Sequence, residues 1–152
     1  MLIEIKKANL ENLTILAPLF DAYRIFYDQT PDIKVVTDFL KERIMKKESI
    51  IFIAMIDSMA VGFTQLYPIF SSVRLKPAWL LNDLYVIENA RRQGVAAALL
   101  QKTKQLASDT GASWLLLQTA ADNHTAQSLY EKNGWIKQSD FFYELPLNGF
   151  NQ

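Results

Sequence analysis

Leu84-Tyr85-Val86-Ile87-Glu88-Asn89-Ala90-Arg91-Arg92-Gln93-Gly94-Val95-Ala96 reads as an apolar strand that runs through a basic, glycine-closed turn into the start of a helix. Upstream, the strand extends back to Trp79. Downstream, Val95, Leu99, Thr103 and Leu106 recur at helical spacing up to Gly111, and Trp114 to Leu117 is apolar without alternation, as a strand covered on both faces would be. Strand, crossover helix, strand predicts a right-handed βαβ unit with one parallel pair. The turn has the physics of an anion site. The first N–H groups of a helix lack intrahelical partners, and the macrodipole adds partial positive charge there. Gly94 permits close approach of the main chain to a phosphate, and Ala96 keeps the next contact small. Arg91 and Arg92 are either anion contacts or solvated surface charges on this reading.

Toward the N-terminus, Ile3 and Ile5 alternate with Glu4 and Lys6, the pattern of a half-buried strand. Asn9 is a candidate N-cap. Leu10, Leu13, Leu16, Phe20, Tyr23 and Tyr27 then follow at helical spacing through Pro18, which predicts a bent or broken helix. A second helix is expected from Val35 to Lys47. Ile50–Ile56 and Val61–Tyr67, joined at Asp57-Ser58, predict a hairpin.

Toward the C-terminus, Asp122 and Asn123 are candidate caps for a helix that carries Ala126, Leu129 and Tyr130 and stops at Asn133-Gly134. The aromatic run from Trp135 to Leu145 predicts one or two closing strands. No repeat, low-complexity tract or linker interrupts the 152 residues, so one domain over 1–152 is expected.

Composition narrows the function. Sixteen basic residues balance sixteen acidic ones, which removes the summed positive field that draws proteins onto nucleic acid or anionic membranes. With no cysteine and a single histidine, His124, thiolate chemistry and a multi-histidine metal site are excluded, and no metal is expected. The start of the chain lacks a signal-like apolar run and no stretch is long enough to span a bilayer, so a cytoplasmic protein is expected.

The stretch from Val86 to Leu100 resembles the pyrophosphate-binding segment of Gcn5-related N-acetyltransferases, in which Arg/Gln-x-x-Gly-x-Gly/Ala follows a strand ending in a Val-type residue. Arg91, Gly94 and Ala96 take the three motif positions, and Glu88 stands where a proline is common. Asn123-His124-Thr125-Ala126-Gln127-Ser128-Leu129-Tyr130-Glu131-Lys132-Asn133-Gly134-Trp135 is similar to the family's Asn-x-x-Ala-x-x-Leu-Tyr-x-Lys-x-Gly-Phe segment. The resemblance implies a mixed α/β fold: a mostly antiparallel twisted sheet, one central parallel strand pair that splays apart, and helices on both faces. It also implies acetyl transfer from acetyl-CoA to an amine by direct attack within a ternary complex.

Site roles follow from these two segments. Cofactor contacts are expected from Leu84 and Val86 through their backbone, from Arg91, Arg92, Gln93, Gly94, Val95 and Ala96 around the turn, and from Asn123 and Tyr130. Asn123 is equally readable as a plain N-cap. Tyr130 is the candidate general acid, since a phenol with a reference pKa of about 10 stays protonated at neutral pH yet can donate to a thiolate of about 8.5. A buried aromatic with a satisfied hydroxyl is the alternative. Asp83 is the candidate base, or else a structural acceptor; related polyamine acetyltransferases carry Glu-Asp where this chain has Asn82-Asp83. His124 is better read as an exposed first-turn residue. Tyr23, Phe26, Tyr27, Gln65 and Tyr67 form an aromatic and amide-bearing set for the acceptor, although such spacing also suits a core. The rival class is a non-catalytic acyl-CoA sensor, and the aromatic C-terminal run suggests a homodimer.

Overall fold

The computed structural model describes residues 1–147, and the chain forms two compact units, Met1–Gln118 and Thr119–Gln152. The expected single domain extends into residues 148–152, which lie outside the described residues.

The first unit holds a five-stranded sheet in the order β1 (Ile3–Lys7), β2 (Ile50–Ile56), β3 (Met59–Ser71), β4 (Lys76–Val86), β5 (Leu115–Leu117). Neighbours are antiparallel except β4 and β5, which run parallel from Trp79↔Leu115 to Leu81↔Leu117. This is the mixed α/β architecture expected. The β2–β3 hairpin closes at Asp57-Ser58 with φ of 49° and 64° at the two residues, the positive pair that a tight two-residue turn requires.

Asn9 caps a short 3-10 turn over Leu10–Asn12, and α1 (Leu13–Phe26) follows. Of the bend or break expected at Pro18 the break does not occur, because a proline removes one ladder bond while the packing of Leu16, Leu19 and Phe20 on the sheet is retained. Asp32 caps α2 (Ile33–Met45), and the Asp21 carboxylate receives both Arg24 and the Asp32 amide, pinning the α1–α2 connection. Leu16, Phe20, Val36 and Leu40 bury one sheet face against Ile51, Ile53 and Phe63. On the opposite face, α3 (Val95–Asp109) lays down Val95, Leu99 and Leu100, and Thr110, its C-cap, accepts the Trp79 indole N–H at 2.9 Å.

In the second unit, Asn123 accepts from the Ala126 amide at 3.1 Å and starts α4 (His124–Lys132), which ends before Gly134. The expected closing strands are not formed: residues 136–147 carry no strand, and Phe141, Phe142, Tyr143 and Leu145 are exposed. Aromatic composition marks a segment that suits a pleated surface but supplies no ladder partner, and a strand exists only with one. No helix among the described residues is long and apolar enough to cross a membrane.

Candidate active site

The site is built at the end of β4. In the ladder between β3 and β4, Gln65 faces Asp83 but Leu66 faces Leu81, so Asn82 is an extra residue on β4. A bulge of this kind reverses the alternation of side chains beyond it. Leu81 therefore shares the α3 face with Leu66, while Asp83 and Tyr85 emerge on the α1 face with Gln65 and Phe63. Were β4 regular through Asn82, Asp83 would lie opposite Thr64 and point beneath α3.

Asp83, only 7% exposed, is held by three donors. The Tyr23 hydroxyl donates to Oδ1 at 2.9 Å, and the Gln65 and Asn82 side-chain amides donate to Oδ2 at 2.8 and 3.1 Å. The Thr64 hydroxyl donates to the Asp83 carbonyl at 2.8 Å, satisfying the backbone beside the bulge. Gln65 is fully buried, and its Oε1 has no hydrogen-bond partner. An acceptor atom left in that state costs free energy until a donor reaches it.

Tyr67 lies on the same face. Burial, reinforced by the negative charge of Asp83, pushes its phenol up to about 12. A phenol that binds its proton more tightly in the folded than in the unfolded state stabilises the fold fully below about pH 10, and that contribution is lost as pH rises from about 10 to about 12. Denaturant unfolding across this range should therefore show an alkaline loss of stability that Tyr67→Phe reduces; an identical loss in the variant would refute the shift.

An aromatic wall continues outward. Tyr23 meets Tyr27, Phe63 and Tyr85 with ring centroids 5.2, 5.4 and 5.7 Å away, and Phe26 meets Tyr27 and Tyr85 at 5.2 and 6.2 Å. The structure thus brings Tyr23, Tyr27, Gln65, Tyr67 and Asp83 together on one face. Sequence reasoning missed Tyr85, hidden inside the strand motif, and Asn82, because a bulge has no local signature.

On its other edge, β4 has no strand partner among the described residues beyond Leu81, where β5 ends. The Ile87 amide donates to the Val61 carbonyl, so by antiparallel alternation Leu84 and Val86 direct their N–H and C=O groups away from β3. The Val86 carbonyl already accepts from Arg91 Nε at 2.9 Å. What remains is a short edge without a strand partner that can pair with an amide-bearing chain.

That edge runs into the turn. Arg92 and Gly94 have φ of 62° and 86°, and Gly94 is the N-cap of α3 without any side-chain cap, so the N–H groups of the first helical turn stay open to an anion. Around Gly94 there is room: a Cβ there would meet only Ile3 Cδ1, at 4.0 Å. Gly62, opposite Val86, is the reverse case, since a Cβ would sit 2.8 Å from the Tyr85 carbonyl oxygen and 3.4 Å from Val95 Cγ1. The absence of a side chain at Gly62 is what lets the Tyr85 carbonyl oxygen lie this close to β3. The edge and the turn together fit an elongated co-substrate with an amide arm and a diphosphate.

In the second unit the Asn123 carboxamide oxygen is engaged as the cap of α4, His124 is exposed in the first turn, and the Tyr130 ring contacts Trp135 at 6.1 Å. Among the described residues no cluster of acidic, histidine or cysteine side chains could hold a metal ion.

Residues 16–135 match the profile of the acetyltransferase (GNAT) family. The uncharacterized N-acetyltransferase YhfO of Bacillus subtilis is 43% identical over 139 residues, spanning 91% of this chain and 93% of that protein. A probable acetyltransferase of Haemophilus influenzae is 33% identical over 144 residues, spanning 93% of this chain and 97% of its own. A crystal structure of a probable acetyltransferase superposes with a TM-score of 0.92 at 45% identity, covering 97% of this chain and 99% of the other.

Proposed function

The chain belongs to the acetyltransferase (GNAT) family and is an acetyltransferase, and from that premise we propose that, as a single domain over 1–152, it moves the acetyl group of acetyl-CoA onto a primary amine within a ternary complex. The observation that carries this reading is the unpaired edge of β4 leading from the Asp83 cluster to the open N–H groups at Gly94. The co-substrate's amide arm pairs with Leu84 and Val86, and its diphosphate meets the main chain of Gln93 to Ala96. Arg92 adds positive charge at the rim of the turn.

The amine enters between the aromatic wall and Gln65, with Asp83 accepting a proton as the nitrogen lone pair attacks the thioester carbon. The carbon–sulfur bond then breaks, and the thiolate takes a proton from the Tyr130 hydroxyl. Asn123 orients the arm through its carboxamide N–H groups. No covalent intermediate on the protein is required. The same reading takes the protein as cytoplasmic and homodimeric, with the exposed aromatic segment around Phe141 to Leu145 as the surface that a second copy covers.

Incubation with acetyl-CoA and a panel of amines, amino acids and basic peptides, with release of free thiol followed, tests the reading. Turnover with at least one amine is expected. Tyr130→Phe should lower kcat by about tenfold or more while CoA affinity by calorimetry is kept. No turnover with any amine, or no heat from CoA, would overturn it.

A further inference from the structure

We propose that the Arg91 side chain faces the acceptor rather than the diphosphate and sets the charge selectivity of the acceptor site, favouring a mono-amine whose remainder is apolar or anionic over a polyamine. This rests on the acceptor site placed above. Three contacts turn the guanidinium away from the phosphate turn. Its Nε donates back to the Val86 carbonyl at 2.9 Å, and its carbon lies 5.4 Å from the Phe26 ring centroid and 5.9 Å from that of Tyr85. One edge is thus committed to β4 and the plane to the aromatic wall, which leaves the terminal nitrogens for a ligand lying along that wall.

The wall is continuous from Arg91 to Asp83. Tyr85, under the guanidinium, meets Tyr23 at 5.7 Å, and Tyr23 donates to Asp83 at 2.9 Å. It therefore has a carboxylate at its inner end and a guanidinium at its outer end. From Asp83 to the Val86 carbonyl that holds Arg91 is three residues of strand, roughly 10 Å. An ammonium at Asp83 places the far end of a ligand of that length beside Arg91. There a second ammonium is repelled, a carboxylate is paired, and an apolar group lies on Phe26 and Tyr85, because like charges in a partly desolvated site discriminate more strongly than they bind.

The test uses the intact protein with acetyl-CoA. KM is compared for an arylalkyl amine, an ω-amino carboxylate and spermidine, in the wild type, Arg91→Ala and Arg91→Glu, alongside calorimetric titration of each protein with CoA. The wild type should prefer the first two. Arg91→Ala should weaken the preference for the ω-amino carboxylate over spermidine, and Arg91→Glu should shift the ratio by about tenfold or more toward spermidine. CoA affinity should stay within about threefold in Arg91→Ala, since the guanidinium is committed to the Val86 carbonyl and the aromatic wall rather than to the turn. Unchanged amine selectivity, or a large loss of CoA affinity in Arg91→Ala that Arg91→Lys restores, would overturn the assignment and make Arg91 a phosphate ligand. Failure of the wild type to turn over any amine would instead be failure of the acetyl-transfer reading.

Discussion

Replacing Asp83 with Asn should lower kcat/KM for the amine by about 10²-fold or more, together with a loss of about 1–3 kcal/mol of stability. The stability cost has a specific source. Three donors, from Tyr23, Gln65 and Asn82, converge on the two oxygens of a buried side chain. Asn puts an NH2 where one of those donors now finds an acceptor, so at least one buried polar group loses its partner. At this chain length the melting temperature should fall by about 2–10 °C. Activity and stability can be separated with Tyr23→Phe, which removes one donor and keeps the carboxylate. Its activity loss should be much the smaller of the two. If Asp83 accepts the proton, Asp83→Asn acts on kcat; if it only anchors the ammonium, KM rises and kcat is largely kept. Wild-type kcat/KM in a folded Asp83→Asn protein would remove Asp83 from the site altogether.

Gly62→Ala should be the most destabilising small substitution in the sheet, by about 2–3 kcal/mol. Its added methyl would lie 2.8 Å from the backbone carbonyl oxygen of Tyr85 and 3.2 Å from Val86 Cγ2. A carbonyl in a paired strand cannot swing aside as a flexible side chain can, so β4 or the start of α3 must move. The displaced element is the edge that bears Leu84 and Val86, and CoA affinity should fall along with the melting temperature. Gly111→Ala is the control: Gly111 has φ of 68° but nothing within 4 Å of an added Cβ, so the change costs only backbone strain, about 1 kcal/mol. Equal melting temperatures for the two variants would show that the Gly62 contact relaxes freely.

Much of this protein is legible in consecutive residues. The strand–turn–helix from Leu84 to Ala96, the parallel strand after α3, the hairpin turn at Asp57-Ser58 and the Asn123 cap all came from spacing within about a dozen residues, because turns, caps and helix starts are satisfied by their own neighbours. The turn at Gly94 belongs to that class, since the groups it leaves open are successive backbone N–H groups. The acceptor side does not. Tyr23 and Asp83 are sixty positions apart, and Asp83 reaches Tyr23 because the bulge at Asn82 sets it opposite Gln65 rather than Thr64. Nor does the sequence near Arg91 reveal that its guanidinium lies on Phe26, which a different helix delivers. The aromatic run after Trp135 failed as strands for the same reason, since a strand needs a partner that composition cannot name. Local hydrogen bonding therefore determined the family motifs from sequence alone, whereas the chemistry around Asp83 was decided by ladder register and packing, which are set between segments far apart in the chain.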